Sequence, residues 1–245
     1  DDRQLLCLSL ALWNGRDPLL KERLFGLTNS EGNHGEDVKE LYYYLDATPT
    51  HSFLKMLYKY PQGEFPYTRL LQENRRRGAE EAEFELLDTG LFDDDAYFDV
   101  FVEYAKAAAD DILMLVTAHN RGAETAKLSL LPQLCCRNTW SWQAGTPKPA
   151  LSAVAGGVNI EHPELGSYRL DFDGDGDGDG EGGGESDCAP GLLFCENETN
   201  ARRHFDQPEA TGFFKDAFHE LVVAGNTAAV NPAQTGTKAG ALYSL

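Results

Sequence analysis

The chain has 245 residues, of which 42% are hydrophobic and 11% aromatic, enough for one large domain or two small ones. Its net charge of −19, from 40 acidic and 21 basic residues, argues against nucleic-acid binding, which needs a basic surface. No apolar run in the sequence is long enough to span a membrane as a helix.

The chain opens in an apolar run, Leu5–Trp13, with neither an initiator Met nor a charged leader before it. We therefore expect a piece of a longer protein, and the missing leader favours the cytoplasm. The five cysteines have no CxxC spacing, and neighbouring Cys135 and Cys136 would point to opposite faces of a strand. They are interpreted as small buried residues in a reducing compartment, so neither a metal nor a cofactor is predicted.

A polar segment, Phe25–Glu40, follows the first apolar run and is interrupted by three glycines. Glycines between polar residues predict a shaped loop rather than a solvated face. Amide, imidazole and carboxylate groups held close together offer the donors and acceptors that a polyhydroxyl ligand needs. An ordinary turn capped by Asn and Asp is the alternative. The candidate substrate-binding residues of this segment are Asn33, His34, Glu36 and Asp37.

Period-two alternation dominates the next part of the chain. In Phe53–Tyr60 it places apolar residues on one face and Lys55 and Lys59 on the other, which predicts a sheet with one buried side. Similar runs separated by short turns predict antiparallel hairpins. These further strands are expected at Tyr42–Leu45, Phe98–Tyr104, Ile112–Ala118 and Ala126–Cys136.

Helical patterns are few. Tyr67–Arg77, which ends before Gly78, is the best helix candidate, and Leu19–Leu27 is the second. Phe213–Val223 fits either a short helix or a strand. Many strands and one or two short helices predict a mainly β fold, a large antiparallel β-sandwich.

A low-complexity stretch of Gly and Asp occupies residues 171–187 and interrupts a strand pattern that resumes at Leu192–Cys195. It predicts a disordered insertion at a hairpin tip, where extra length costs little. A calcium loop beginning at Asp173 would need its bidentate acid at Gly184, so a specific calcium site is not favoured. Residues 1–170 and 188–245 are then expected to form a single β-sandwich domain.

Two tryptophans, Trp140 and Trp142, stand close together just after Arg137 and Asn138. Indole faces stack on the C–H surface of sugars, so both are candidate substrate-binding residues, and packing at the edge of the sandwich is the alternative. The chain has no nucleophile motif, phosphate loop or dinucleotide fingerprint, and no pair of its acids has a diagnostic spacing.

Seven sequence blocks follow one another along nearly the whole chain: LALWNGRDPLLKERLFGLTNSEGNHGEDVKE, YLDATPTHSFLKMLYKYPQGEFPY, ELLDTG, FDVFVEYAKA, RNTWSW, ENETN and NPAQTGTKA. In this order they resemble the N-terminal domain of bacterial-type glucosidases of glycoside hydrolase family 63. These are relatives of processing α-glucosidase (mannosyl-oligosaccharide glucosidase), described as having a mannosylglycerate-hydrolase-like glycosidase domain. The Gly/Asp insertion and Cys135-Cys136 depart from the pattern of that family.

The resemblance implies an antiparallel β-supersandwich that precedes an (α/α)6 barrel, and the barrel carries the acid and base of an inverting mechanism. The chain would then be the non-catalytic N-terminal domain of an α-glucosidase-type hydrolase. Its partners would be an α-linked oligosaccharide or glucoside and its own downstream barrel, and no catalytic residue is assigned to the chain. The alternatives are a stand-alone carbohydrate-binding or scaffold sandwich and, less favoured, an acidic cation-binding protein.

Overall fold

The computed structural model describes residues 3–22, 40–172 and 190–245, and in these ranges antiparallel strands dominate. The three described α-helices are short: α1 (Tyr67–Arg76), α2 (Ala201–His204) and α3 (Ala217–Val222). The described strands are β1 (Leu6–Trp13), β2 (Leu41–Ala47), β3 (Phe53–Pro61), β4 (Tyr97–Ala108), β5 (Asp111–Asn120), β6 (Ser129–Cys136), β7 (Ala150–Val154), β8 (Gly157–His162), β9 (Gly166–Asp171), β10 (Gly191–Cys195), β11 (Thr235–Gly236) and β12 (Lys238–Ser244). The predicted mainly β, antiparallel fold is confirmed.

The described residues divide into two compact units, where the sequence predicted a single sandwich domain. The first unit contains residues 3–13, 19–22, 128–172 and 190–245, and the second contains residues 14–18 and 40–127. The division arises because β1 pairs with β6, more than a hundred residues later, whereas β2 to β5 pair only with one another among the described strands. The predicted insertion at 171–187 lies almost wholly outside the described residues.

Two four-stranded sheets build the first unit. One has the strand order β1-β6-β12-β10 and is called the central sheet below; the other has the order β11-β7-β8-β9. Alternating residues from both sheets enter one buried cluster, as expected for two sheets packed face to face. The residues of this cluster are Leu134, Cys136, Leu151, Val158, Ile160, Phe194 and Ala239. The predicted β-sandwich arrangement is thus present within this unit.

The other face of the central sheet is also buried, against helix α3. Here Phe218 is fully buried and clusters with Leu131 of β6 and Leu193 of β10. The segment Phe213–Val223, which fitted either a helix or a strand, therefore contains a helix that supplies one aromatic ring to the core. The four described residues of the second helix candidate, 19–22, are not helical, because Lys21 forms a β-bridge with Leu12.

The second unit contains one sheet with the order β2-β3-β4-β5. The alternation predicted for Phe53–Tyr60 is confirmed: Tyr58 and Tyr60 are fully buried, while Lys55 and Lys59 form ion pairs on the opposite face. The predicted helix Tyr67–Arg77 is confirmed as α1.

Polar groups are buried behind this sheet. The Tyr60 and Tyr67 hydroxyls donate to the carboxylate of Asp17 at 3.2 and 3.4 Å. The Asn14 amide donates to the carbonyl oxygens of Pro61 and Gly63, both at 2.7 Å. These bonds tie residues 14–18 to β3 and α1. Hydrogen bonding of this kind offsets the cost of removing the polar groups from water.

Replacing Phe218 with Ala should lower the free energy of unfolding by about 3–5 kcal/mol, because the change leaves a cavity between α3 and the central sheet. Urea unfolding followed by circular dichroism measures the loss. Phe205→Ala is the matched control, since Phe205 is 62% exposed and its loss should cost no more than about 0.5 kcal/mol. Equal effects of the two substitutions would contradict the buried position of α3.

Stability should fall steeply above pH 10. Burial raises the pKa of Tyr58, Tyr60 and Tyr67, and nearby carboxylates add to the shift. Between the ordinary pKa of about 10 and the raised values, the unfolded chain loses protons that the folded chain keeps. The free energy of unfolding is therefore intact below pH 10 and then declines by up to about 1.4 kcal/mol per pH unit for each tyrosine.

Tyr58→Phe tests this expectation by removing one titrating group. The Tyr58 hydroxyl has no hydrogen-bond partner in the described part of the chain, so its loss should not reduce stability at neutral pH. Urea unfolding between about pH 8 and pH 12 should show a shallower decline for this variant. Tyr43→Phe, at an exposed position of β2, should keep the wild-type slope. An unchanged slope for Tyr58→Phe would refute the assignment.

Candidate functional site

The register of β12 brings two distant sequence blocks together. Lys238, its first residue, lies opposite Cys135 of β6 on one side and opposite Cys195 of β10 on the other. Strands β6 and β10 therefore end at the same height on either side of β12 in the central sheet. The blocks RNTWSW (137–142) and ENETN (196–200), about sixty residues apart in sequence, begin side by side at this end.

The block after β6 is a tight turn rather than a strand. The Thr139 N–H donates to the Arg137 carbonyl at 2.8 Å, and the Trp142 N–H donates to the Thr139 carbonyl at 3.2 Å. The Asn138 side chain accepts from the Ser141 N–H at 3.2 Å, which is the local bond typical of Asn in turns. The turn gives the two indole rings different surroundings.

Trp140 is held by both packing and hydrogen bonding. Its partly buried ring packs against the cluster between the two sheets, and its indole N–H donates to Glu198 Oε1 at 2.9 Å. The Lys148 ammonium lies 5.6 Å from the centroid of the ring. Edge packing, the alternative stated from the sequence, thus describes Trp140, which fixes this site rather than offering a free face.

Trp142 is the exposed member of the pair. Its side chain is 69% exposed, and the Arg137 guanidinium carbon lies 5.4 Å from the ring centroid. The positive charge of a guanidinium is attracted to the face of an indole ring, and this attraction helps to hold the exposed ring in place. An exposed, supported indole is the geometry on which the C–H face of a sugar stacks.

Three charged residues complete the site. The Lys148 ammonium donates to Glu198 at 2.8 Å and forms an ion pair with Glu196 at 3.0 Å. The Thr237 hydroxyl donates to the second of these carboxylates at 2.7 Å. Sequence reasoning missed these residues. The only sequence signal for them is the block ENETN, which was noted for its resemblance and not for its charge.

Ionisation in the site follows from these contacts. Partial burial disfavours the charged form of Glu198, but hydrogen bonds from Lys148 and Trp140 outweigh it and lower the pKa of this carboxyl. Burial lowers the pKa of Lys148, but hydrogen bonds to Glu198 and Glu196 outweigh it and raise this pKa. A general acid needs the opposite shift, a raised carboxyl pKa. The arrangement therefore suits binding and not proton donation.

The other predicted site residues are Asn33, His34, Glu36 and Asp37, and all four lie outside the described residues. Their assignment stays a prediction. Of the six candidates, the structure thus places Trp140 and Trp142, and it separates their roles into an anchor and an exposed ring.

Two other kinds of feature are absent from the described residues. They contain no group of three or more His, Cys, Asp or Glu side chains arranged to hold a metal ion. None of the described helices has the length and apolar character that crossing a membrane requires.

The chain is similar in sequence to a protein of yeast. The chain is 45% identical over 267 aligned residues to an uncharacterized protein of Saccharomyces cerevisiae, YMR196W. The alignment covers 99% of the chain and 24% of the yeast protein, so the chain spans about a quarter of the length of this relative. No family model matches the chain, and no solved structure matches it.

The indole N–H resonance of Trp140 should report the ionisation of Glu198, to which this group donates. In tryptophan-labelled protein the resonance should move on acidification with a midpoint below the ordinary glutamate value of 4.5. Lys148→Met should raise the midpoint, because it removes a hydrogen bond and a charge that favour the carboxylate. Lys127→Met, at an exposed position of the second unit, is the control and should change nothing. A midpoint insensitive to Lys148→Met would show that the ion pair does not form.

Proposed function

We propose that this chain is the non-catalytic N-terminal domain of an inverting α-glucosidase-type glycoside hydrolase that acts on α-linked oligosaccharides or glucosides. The observation that carries the proposal is the exposed Trp142 ring beside the fixed group of Trp140, Lys148 and Glu198. In this role the first unit contributes contacts to the sugar, and a separate domain of the same protein supplies the catalytic acid and base.

The chemistry of the site supports a binding role. Hydrolysis of a glycosidic bond needs one protonated carboxyl group and a second carboxylate across the sugar. Glu196 and Glu198 instead share one lysine, and its hydrogen bond and charge favour the charged form of Glu198. Ionised carboxylates and a lysine are good partners for sugar hydroxyls, and the indole face supplies the apolar contact.

The length of the relative supports the second part of the proposal. About three quarters of the yeast protein lies outside the alignment with this chain. A domain of the size needed for an (α/α)6 barrel fits in that remainder. The order of the seven sequence blocks, which resembles family 63 N-terminal domains, agrees with such an arrangement.

Activity assays test the proposal directly. The full-length protein should hydrolyse members of a panel of α-linked disaccharides, glycosylglycerates and aryl α-glucosides, with inversion at the anomeric carbon. The 245-residue chain alone should hydrolyse none of them. Hydrolysis by the chain alone would overturn the non-catalytic assignment. Sugar binding without hydrolysis by the full-length protein would favour the alternative, a carbohydrate-binding module.

Trp142→Ala should weaken oligosaccharide binding by the full-length protein about tenfold, because truncation of a well-placed aromatic contact costs more than about 1 kcal/mol. Titration calorimetry with an α-linked oligosaccharide measures the change. Phe205→Ala removes another exposed aromatic ring of the same unit and should leave affinity unchanged. Equal affinity of the Trp142→Ala variant and the wild type would exclude this ring from the sugar site.

A further inference from the structure

Three cysteines and one lysine form a row across the face of the central sheet that α3 covers. Cys7 of β1 lies opposite Cys135 of β6, which lies opposite Lys238 of β12, which in turn lies opposite Cys195 of β10. Directly opposite residues of antiparallel strands share a face of the sheet and contact each other. The sequence separates these cysteines widely, so only strand pairing brings them together.

Cys7 and Cys135 are close enough for their sulfur atoms to interact. The Arg137 N–H donates to the Leu5 carbonyl at 2.9 Å, so these two residues form a hydrogen-bonded pair of the ladder. Cys7 and Cys135, two residues further along each strand, occupy the next pair of the same kind. Such pairs have Cα atoms about 5.5 Å apart, within the range of roughly 4.4–6.8 Å that disulfides span.

The two thiols of the pair have different acidities. The pKa of Cys7 is lowered to about 6, chiefly because the Cys135 thiol donates a hydrogen bond to it, and the positive charge of Arg137 adds to the effect. Partial burial opposes this shift, and the protonated Cys7 thiol has an acceptor in the Gln4 carbonyl, 3.4 Å away. The same hydrogen bond raises the pKa of Cys135. Cys7 is therefore the nucleophile of the pair.

The remaining described cysteines differ from this pair. Cys7 and Cys135 are half-buried, whereas Cys136 and Cys195 are buried. Burial raises the pKa of Cys136 and of Cys195 to about 12, so both stay protonated at neutral pH. Reactivity toward an oxidant needs a thiolate and access to solvent, and half-buried Cys7, with its lowered pKa, meets both conditions better than the two buried cysteines do.

We propose that Cys7 is a peroxide-reactive cysteine and that Cys135 resolves its oxidised form into a reversible disulfide across strands β1 and β6. This modification site is independent of the proposed carbohydrate function. It uses the opposite face of the central sheet from the cluster against which Trp140 packs.

The reaction has two balanced steps with hydrogen peroxide as the oxidant. The Cys7 thiolate attacks one peroxide oxygen, the O–O bond breaks, and hydroxide leaves, so sulfur is oxidised to a sulfenic acid. The Cys135 sulfur then attacks the sulfenic sulfur; the S–O bond breaks, and the departing hydroxide takes the Cys135 proton to form water. Loss of the negative charge on Cys7 removes its hydrogen bond and its charge from the causes that raise the pKa of Cys135, and burial remains, so the change favours the second step.

Reversibility follows from the position of the pair. Opposite Cβ atoms lie up to about 5.5 Å apart in a ladder, farther than the roughly 3.5–4.5 Å of an unstrained disulfide. Strand β1 is at the edge of the central sheet, and its bridge to Lys21 lies at Leu12, toward the other end of the strand, so β1 can move toward β6 near Cys7 without breaking a second ladder. A disulfide formed with such strain is easily reduced, as labile regulatory disulfides are.

Peroxide titration of the reduced full-length protein, followed by peptide mapping, tests the proposal. A Cys188→Ala background removes the cysteine that lies outside the described residues. We expect a peptide linking Cys7 to Cys135 that dithiothreitol releases. In the Cys135→Ser variant, dimedone should instead trap a sulfenic acid at Cys7. Cys7 should react with peroxide at least about a hundredfold faster than Cys195, because its thiolate fraction is far larger.

Controls separate reactivity from folding. Cys195→Ala and Cys136→Ala should form the linked peptide as the wild type does, and Cys7→Ser should not form it while keeping the wild-type melting temperature to within a few degrees. Absence of the linked peptide from peroxide-treated wild type would overturn the proposal. So would oxidation of Cys195 as fast as Cys7, or a Cys135→Ser variant that dimedone does not label.

Discussion

The pairing of β12 with both β6 and β10 is the constraint on which the first unit depends. The two faces of β12 contribute to two different cores: Ala239 lies between the two sheets, while Gly240 faces α3. A Cβ atom at Gly240 would meet Leu131 at 3.0 Å and Phe218 at 3.3 Å. The missing side chain lets the helix lie close to the sheet at this position.

The same register explains where the functional features lie. Lys238 lies at the level where β6 and β10 end, and both blocks of the candidate site start there. The cysteine row crosses the sheet at the same level on the face toward α3. One strand therefore links the positions of an exposed indole with its charged partners and of the Cys7–Cys135 pair, although these groups come from separate stretches of sequence.

Charge distribution separates the roles of the two units. In the first unit the Glu198 carboxylate is held ionised chiefly by hydrogen bonds from Lys148 and Trp140, as the proposed recognition of hydroxyl groups requires. In the second unit the buried Asp17 is surrounded by tyrosine hydroxyls rather than by an open surface. Buried hydroxyl–carboxylate bonds of this kind rigidify a core, and they have no face available for a ligand. The proposed binding site thus lies in the first unit, and the second unit carries a polar core of its own.

The sequence by itself determined the local features. Alternation predicted the buried tyrosine face of β3, the pattern of Tyr67–Arg77 predicted α1, and the net charge argued against a nucleic-acid-binding surface. Tertiary structure decided the division into two units, the helix within Phe213–Val223 and the partners of Glu198. The physical reason is the range of the forces involved. Turn and face preferences are set within a few residues, whereas the pairing of β12 with β6 and β10 is fixed only by the packing that buries both faces of the sheet.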